Sequence, residues 1–368
     1  MNLKIPVSFC LALFLTSSFV AQARQTVDEP IQITTSDGFV LDGKIRPAPG
    51  IDLSGREKVI ILVHGSGPQS MDVDLTSVTK DGKKNLFFVD VSAALSEAGF
   101  TVIRYNKRSY QLNRAAREDR SILETENYKY FLANPLKYFV TDAEDVVKFA
   151  EQRYPGAEIF LFGHSQGTYV SLQVANRLPQ VKGVALVGFY AASLETVLFE
   201  QIVYRPLPLF EALDTNHDGV VDGPELAVDD PVALSLTTQM GVIDLDSNGK
   251  LEKVEFQAGN LSNMIARDML AGVGKGEALY PRTSDILAAA AFKVAFFQGL
   301  WDNQTPAYNA KAVELVVKNV WRKDNFSFMY FPELGHALDA RSSYNDLQFN
   351  TIDAEANKQM ATHLAAWF

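Results

Sequence analysis

The stretch Glu158-Ile159-Phe160-Leu161-Phe162-Gly163-His164-Ser165-Gln166-Gly167 decides the fold. Its first five residues form a short apolar run that reads as a buried strand, and Val170, Val174, Ala175 and Leu178 beyond it fall at helical spacing. Strand, sharp turn and helix therefore follow in that order. A serine on such a turn is held in a strained backbone conformation that pushes its hydroxyl clear of the sheet. Gly163 and Gly167 are small enough to let strand and helix approach closely around it. Ser165 is thereby a candidate nucleophile.

This Gly-x-Ser-x-Gly stretch resembles the nucleophile elbow of the α/β-hydrolase family, in which an acid and then a histidine follow the serine in loops after later strands. Phe292-Lys293-Val294-Ala295-Phe296-Phe297 reads as a strand, and the following Gln298-Gly299-Leu300-Trp301-Asp302 puts Asp302 just past its end. Residues 326–331 alternate and open into Pro332-Glu333-Leu334-Gly335-His336; His363, the other histidine beyond Asp302, lies in a helix-like tail. The resemblance implies a triad of Ser165, Asp302 and His336, with Asp339 or Glu333 as alternative acids and a turn aspartate as the plain reading of Asp302. Lys58-Val59-Ile60-Ile61-Leu62-Val63 reads as a central strand buried on both faces. It ends in His64-Gly65-Ser66-Gly67-Pro68, and the resemblance assigns the oxyanion to the backbone amides of Ser66, with Gly67 as the neighbouring alternative, and of Gln166.

The fold class expected is therefore α/β, with a mostly parallel sheet flanked by helices. Residues 31–35 and 39–45 read as two strands joined by an Asp-Gly turn, 88–98 as a helix, and 101–105 and 181–187 as further strands. Residues 69–87 form a polar loop with no assigned role. Asn106-Lys107-Arg108-Ser109 is similar to the Asp-Lys-Arg-Gly of many hydrolases at two of four positions, and a charged surface turn is the reading favoured for Lys107 and Arg108. Asp142, Asp145, Lys148 and Glu151 fall three or four apart, the pattern of a solvated helix face.

Between the core segments, expected at 24–189 and 286–368, residues 190–285 read as an inserted, mainly helical cap. Asp214-Thr215-Asn216-His217-Asp218-Gly219-Val220-Val221-Asp222-Gly223-Pro224-Glu225 and Asp244-Leu245-Asp246-Ser247-Asn248-Gly249-Lys250-Leu251-Glu252-Lys253-Val254-Glu255 each match the twelve-residue EF-hand calcium loop. Calcium wants six to eight hard oxygens, which alternating positions aim at one centre. The expected ligands are Asp214, Asn216, Asp218, Val220, Asp222 and Glu225 in one loop and Asp244, Asp246, Asn248, Lys250, Glu252 and Glu255 in the other, with Val220 and Lys250 acting through backbone carbonyls. Val221 and Leu251, at the eighth positions, are expected to bridge the loops, and His217 to face solvent. Pro206, Pro208 and Pro231 imply short or distorted flanking helices. Two structural calcium ions and no organic cofactor follow. The apolar cap residues Leu207, Leu209, Phe210, Leu234, Leu236 and Met240 read as core rather than as substrate pocket.

Residues 1–23 carry Lys4, a mostly apolar run and Ala21-Gln22-Ala23, the pattern of a removed export signal, so a bacterial periplasmic or secreted protein with no integral membrane segment is expected. The single Cys10 lies inside that segment, which leaves the mature chain without disulfides or a cysteine nucleophile. Loss of Lys4 takes the formal net charge from −10 to −11, which argues against nucleic acid as a partner. The function expected is an exported serine hydrolase acting on a small ester. A serine aminopeptidase of the same fold is one alternative. An inactive calcium-binding interaction protein is another.

Overall fold

The computed structural model of the 368-residue chain describes residues 27–49, 56–80, 82–227, 231–266, 276–346 and 348–368. The expected export segment, Cys10 included, lies outside the described residues. Among the described residues, eight strands form one sheet in the order β1-β2-β4-β3-β5-β6-β9-β10. They are β1 (Glu29–Thr34), β2 (Val40–Arg46), β3 (Lys58–Val63), β4 (Phe100–Tyr105), β5 (Glu158–His164), β6 (Val181–Val187), β9 (Lys293–Gly299) and β10 (Phe326–Phe331), with β7 (Val220–Val221) and β8 (Leu251–Glu252) paired separately. Only β2 runs against its neighbours; every pair from β4 to β10 is parallel.

Parallel strands are covered on both faces, which is why β3 is a continuous apolar run. Its alternate side chains serve two cores: Val59, Ile61 and Val63 join one cluster, and Ile60 and Leu62 the other. Of the helices α1 (Phe87–Glu97), α2 (Arg108–Glu118), α3 (Glu126–Ala133), α4 (Pro135–Arg153) and α5 (Gln166–Arg177), α1, α4 and α5 pack on the strands, while α2 and α3 lie against α4. From β3 the chain steps outward to β4 and then returns to β5 on the opposite side of β3. Connections diverge at such a switch, leaving a crevice at the carboxyl ends of the strands. The elbow sits there.

Between β6 and β9 lies a lobe of α6 (Leu194–Phe199), α7 (Leu207–Leu213), α8 (Gly223–Leu226), α9 (Pro231–Ile243) and α10 (Lys253–Ala266). It has its own small core around Phe210, Leu213, Leu236, Ile243 and Phe256, and Val221 pairs with Leu251 in the β7–β8 ladder with both side chains fully buried. Leu207 and Met240 pack against that core, whereas Leu234, expected within it, is 66% exposed. Proline at a helix start lacks only an N–H that has no helical partner; Pro206 caps α7 and Pro231 opens α9 in this way. No helix among the described residues is long and apolar enough to cross a membrane.

Charged residues expected at the surface are buried instead: Lys107, Arg108, Asp142 and Asp145 are between 2% and 7% exposed. The Arg108 guanidinium donates to both carboxylate oxygens of Asp142, at 2.6 and 3.0 Å, and to Asp37, and it lies against the rings of Phe39 and Tyr138. Burial pushes the Asp142 carboxyl up to about 6 in spite of its partner, while the hydrogen bonds from Arg108 hold the more open Asp37 well below the usual carboxylate range. Asp145 accepts from the Ser36 amide and from Lys148, which with Glu151 does stay exposed. This network fastens the start of α2 and the body of α4 to the β1–β2 turn, and so fixes the segment carrying Lys107.

Candidate active site

Ser165 stands between β5 and α5 with φ of 54° and ψ of −121°, outside the ordinary regions for a side-chain-bearing residue. The strain is held from both sides. Its amide donates to Val187 O at 2.9 Å, and its carbonyl accepts from both the amide and the hydroxyl of Thr168. A Cβ on Gly163 would run into the Gly167 carbonyl, and one on Gly167 into the Val63 carbonyl, so only glycine fits at either place. Gln166 is the first residue of α5, and its N–H is among the first-turn amides that have no acceptor within the helix.

His336, in the loop after β10, brings Nδ1 to 2.9 Å from Asp302 Oδ2. A carboxylate only accepts, so Nδ1 carries the proton and Nε2 is left as the basic nitrogen. Asp302 is fully buried, and its oxygens also accept from the amides of Gln304 and Thr305, the Thr305 hydroxyl and the Gln298 side chain. Burial by itself would raise the Asp302 pKa; the neighbouring His336 and these hydrogen bonds outweigh it and take the group down to about 2. Of the other acids near His336, Asp339 is paired with Arg341 at 2.8 Å and Glu333 is exposed. The tail histidine, His363, is hydrogen-bonded to Ser327.

Ser165 and His336 line one cavity of about 150 Å³ together with Gly65, Ser66, Tyr190 and Gln304. The structure thus brings together the three side chains and the two backbone segments expected from the sequence. It also shows partners that the sequence did not suggest. His164 Nε2 lies 3.2 Å from the His336 carbonyl, which can only accept, so this nitrogen donates. Burial lowers the His164 pKa to about 3 and keeps the ring neutral. Lys107 Nζ donates to Gly65 O at 2.6 Å and to Gln166 Oε1 at 3.0 Å, and it stands 3.9 Å over the Phe139 ring. One ammonium therefore ties together the two segments that carry the amides of Ser66 and Gln166, and burial lowers its pKa to about 7. The signal for it was the Asn106-Lys107-Arg108-Ser109 similarity; for Thr305 it was the spacing of three from Asp302, common where an aspartate caps its own turn.

The two acidic loops share a backbone. Gly219 and Gly249, at the sixth positions, have φ of 83° and 78°, and His217 and Ser247, at the fourth, both have 59°. His217 is exposed, as expected. Asp214 accepts from the amides of Asp218 and Gly219, and Asp244 from those of Asn248 and Gly249. Asn216, Asp218, Asp246 and Asn248 also turn side-chain oxygens onto loop amides. Glu225 and Glu255 fold back onto the amides of Thr215 and Leu245. Carboxylate oxygens of Asp244, Asp246 and Glu255 lie within 4.8 Å of one another. This all-oxygen donor set fits calcium.

Residues 58–213 match the family model described as the alpha/beta hydrolase fold, and residues 208–228 match that of the EF hand. With the sheet order and the elbow, this gives the chain an α/β-hydrolase fold. Among curated proteins it is similar to esterase EstD of Thermotoga maritima, 30% identical over 164 residues, which is 45% of this chain and 34% of that one. The match thus spans about a third of the relative's length (34%). Among solved structures it is similar to the esterase domain of a Rhodothermus marinus protein, at 16% identity and a TM-score of 0.46 over 93% of this chain and 97% of that one. It is likewise similar to dienelactone hydrolase from Anabaena variabilis, at 11% identity and 0.47 over 94% and 97%. Likenesses this distant carry no information about substrate.

Proposed function

We propose that the protein is an exported serine hydrolase that cleaves carboxylic esters through an acyl-enzyme on Ser165. The observation that carries this reading is the buried His336–Asp302 pair, 2.9 Å apart, opening onto the cavity that the strained Ser165 also lines. His336 Nε2 takes the Ser165 proton as the oxygen attacks the carbonyl, and Asp302 holds the tautomer and stabilises the imidazolium. The amides of Ser66 and Gln166 receive the developing oxyanion, kept in register by Lys107. The proton then passes from His336 to the leaving alcohol, and water releases the acyl group by the same steps in reverse. Amine-terminal peptide substrates need a carboxylate to hold the ammonium, and none of the described residues lining the cavity is acidic. This favours an ester over an aminopeptidase substrate.

The loops at 214–225 and 244–255 are read as holding calcium, through Asp214, Asn216, Asp218, Asp222 and Glu225 and through Asp244, Asp246, Asn248, Glu252 and Glu255, with the Val220 and Lys250 carbonyls. The ion's part is structural, neutralising each acidic loop so that the lobe keeps its shape beside the cavity. Export rests on the pattern at residues 1–23. Ser165→Ala tests the mechanism: turnover of p-nitrophenyl acetate and fluorophosphonate labelling are both expected to vanish while melting temperature holds. Undiminished turnover in that variant would sink the assignment. A wild-type chain that takes no label would favour a calcium-binding module on an inactive scaffold.

A further inference from the structure

Two cavities meet at the oxyanion loop. One is the space of about 150 Å³ lined by Ser165 and His336. The other is a groove of about 250 Å³ reached past Ser66 and Gln166, with walls from Phe131, Leu132, Phe139 and Leu198. Ser66 and Leu194 line both, so the two adjoin at those side chains, while Ser165 and His336 line only the first.

The chemistry of the reading above distinguishes them. In the tetrahedral intermediate the former carbonyl carbon bears four groups: Ser165 Oγ, the oxyanion, the leaving alkoxy oxygen and the acyl chain. On collapse the bond to the alkoxy oxygen breaks and the proton on His336 Nε2 passes to that oxygen, so the alcohol must lie on the His336 side. The oxyanion lies between the amides of Ser66 and Gln166. The acyl chain takes the fourth corner, away from both the histidine and the oxyanion, and the groove beside Ser66 and Gln166, which His336 does not line, is the apolar space there to receive it.

We propose that this groove is the acyl-chain subsite, shaped for an apolar acyl group longer than acetyl, and that the His336-lined cavity takes a small alcohol; the assignment rests on the serine-hydrolase reading. Its walls suit that occupant. Phe131 and Leu198 are buried and fix the shape, while Leu132 is 53% exposed for an apolar side chain at the rim. Phe139 is shared between the groove and the Lys107 ammonium 3.9 Å away, so a chain packed there also keeps water from the tie between the oxyanion segments. Hydrocarbon binding of this kind strengthens kcat/KM by about fourfold for each methylene removed from water, until the groove is full.

The test uses the full chain and two ester series. In one the acyl group lengthens, from ethyl acetate through ethyl butyrate to ethyl octanoate; in the other the alcohol lengthens, from ethyl to hexyl acetate. Wild type is expected to gain about fourfold per methylene in the early members of the acyl series. Asn113→Trp, which puts an indole into the groove from α2, should lower the octanoate-to-acetate ratio at least tenfold and leave the hexyl-to-ethyl ratio as it was. Gln201→Trp, on the wall of the His336-lined cavity, should do the reverse. If acetate is hydrolysed and the fluorophosphonate label taken, yet Asn113→Trp moves the alcohol series or neither series, the subsite assignment alone is overturned. If no ester is hydrolysed and no label is taken, the serine-hydrolase reading falls and the subsite with it.

Discussion

Replacing Lys107 by methionine keeps most of the side-chain volume and removes the ammonium from between Gly65 O and Gln166 Oε1. Both lost contacts are hydrogen bonds from a charged group in a buried setting, of a kind worth about 1.5–3 kcal/mol each. Only the part that keeps the two amide-bearing segments in register reaches the transition state. Deleting a whole oxyanion donor costs about 10²- to 10³-fold in turnover. Here the donors stay and shift, so kcat should fall about ten- to a hundredfold with KM within about threefold, because the ground-state carbonyl gains little from both amides at once. Stability should move differently. Burial takes the Lys107 pKa from 10.5 down to about 7, so between those values the unfolded chain holds a proton that the folded chain has released. Unfolding free energy therefore rises with pH across that window, and the penalty of the buried charge, about 5 kcal/mol below pH 7, fades toward pH 10.5. Methionine abolishes this dependence. Urea unfolding of both proteins at pH 6 and pH 9 should show the variant's relative stability to be about 3 kcal/mol better at the lower pH. A variant with wild-type kcat, or with the same stability difference at both pH values, would refute the reasoning.

Calcium and acid supply two more expectations. Chelator should lower the melting temperature, and calcium at 100 times its Kd should restore about 2.7 kcal/mol per site; Glu255→Gln should blunt that response, and identical melts with and without chelator would remove the metal from this account. Asp302, held at about 2 against 3.8 in the free group, contributes stability that is present above pH 3.8 and lost as pH falls through 2. The unfolding free energy of wild type relative to Asp302→Asn should accordingly shrink by about 2 kcal/mol between pH 5 and pH 2, and an unchanged difference across that range would contradict the geometry of the pair.

Strands and elbow were legible because their signals are local. The run at 158–162 and the glycines at 163 and 167 fix a strand, a turn and a helix without reference to the rest of the chain. The loops at 214–225 and 244–255 are likewise complete within twelve residues. What could not be read was burial of charge. Asp142 and Asp145 have the spacing of any solvated helix face, and nothing within α4 reveals that Arg108 and the amide of Ser36, far away in sequence, wait opposite them. Lys107 went unassigned for the same reason: its partners Gly65 and Gln166 belong to two other strand ends, and only the strand order places all three side by side. Gln298, which joins the Phe189 amide to Asp302, is a third case.

Strands β6 and β9 are neighbours in the sheet, with Val187 opposite Phe297, although the whole two-loop lobe is threaded between them. Closing a flexible loop grows dearer with its length, as about (3/2)RT ln n. A lobe that has already condensed about its own phenylalanines and the Val221–Leu251 ladder behaves as a shorter tether; cutting the effective length to a third spares about 1 kcal/mol of closure entropy. The order of assembly is thereby biased, with the insertion condensing first and the last two strands zipping onto the sheet afterwards.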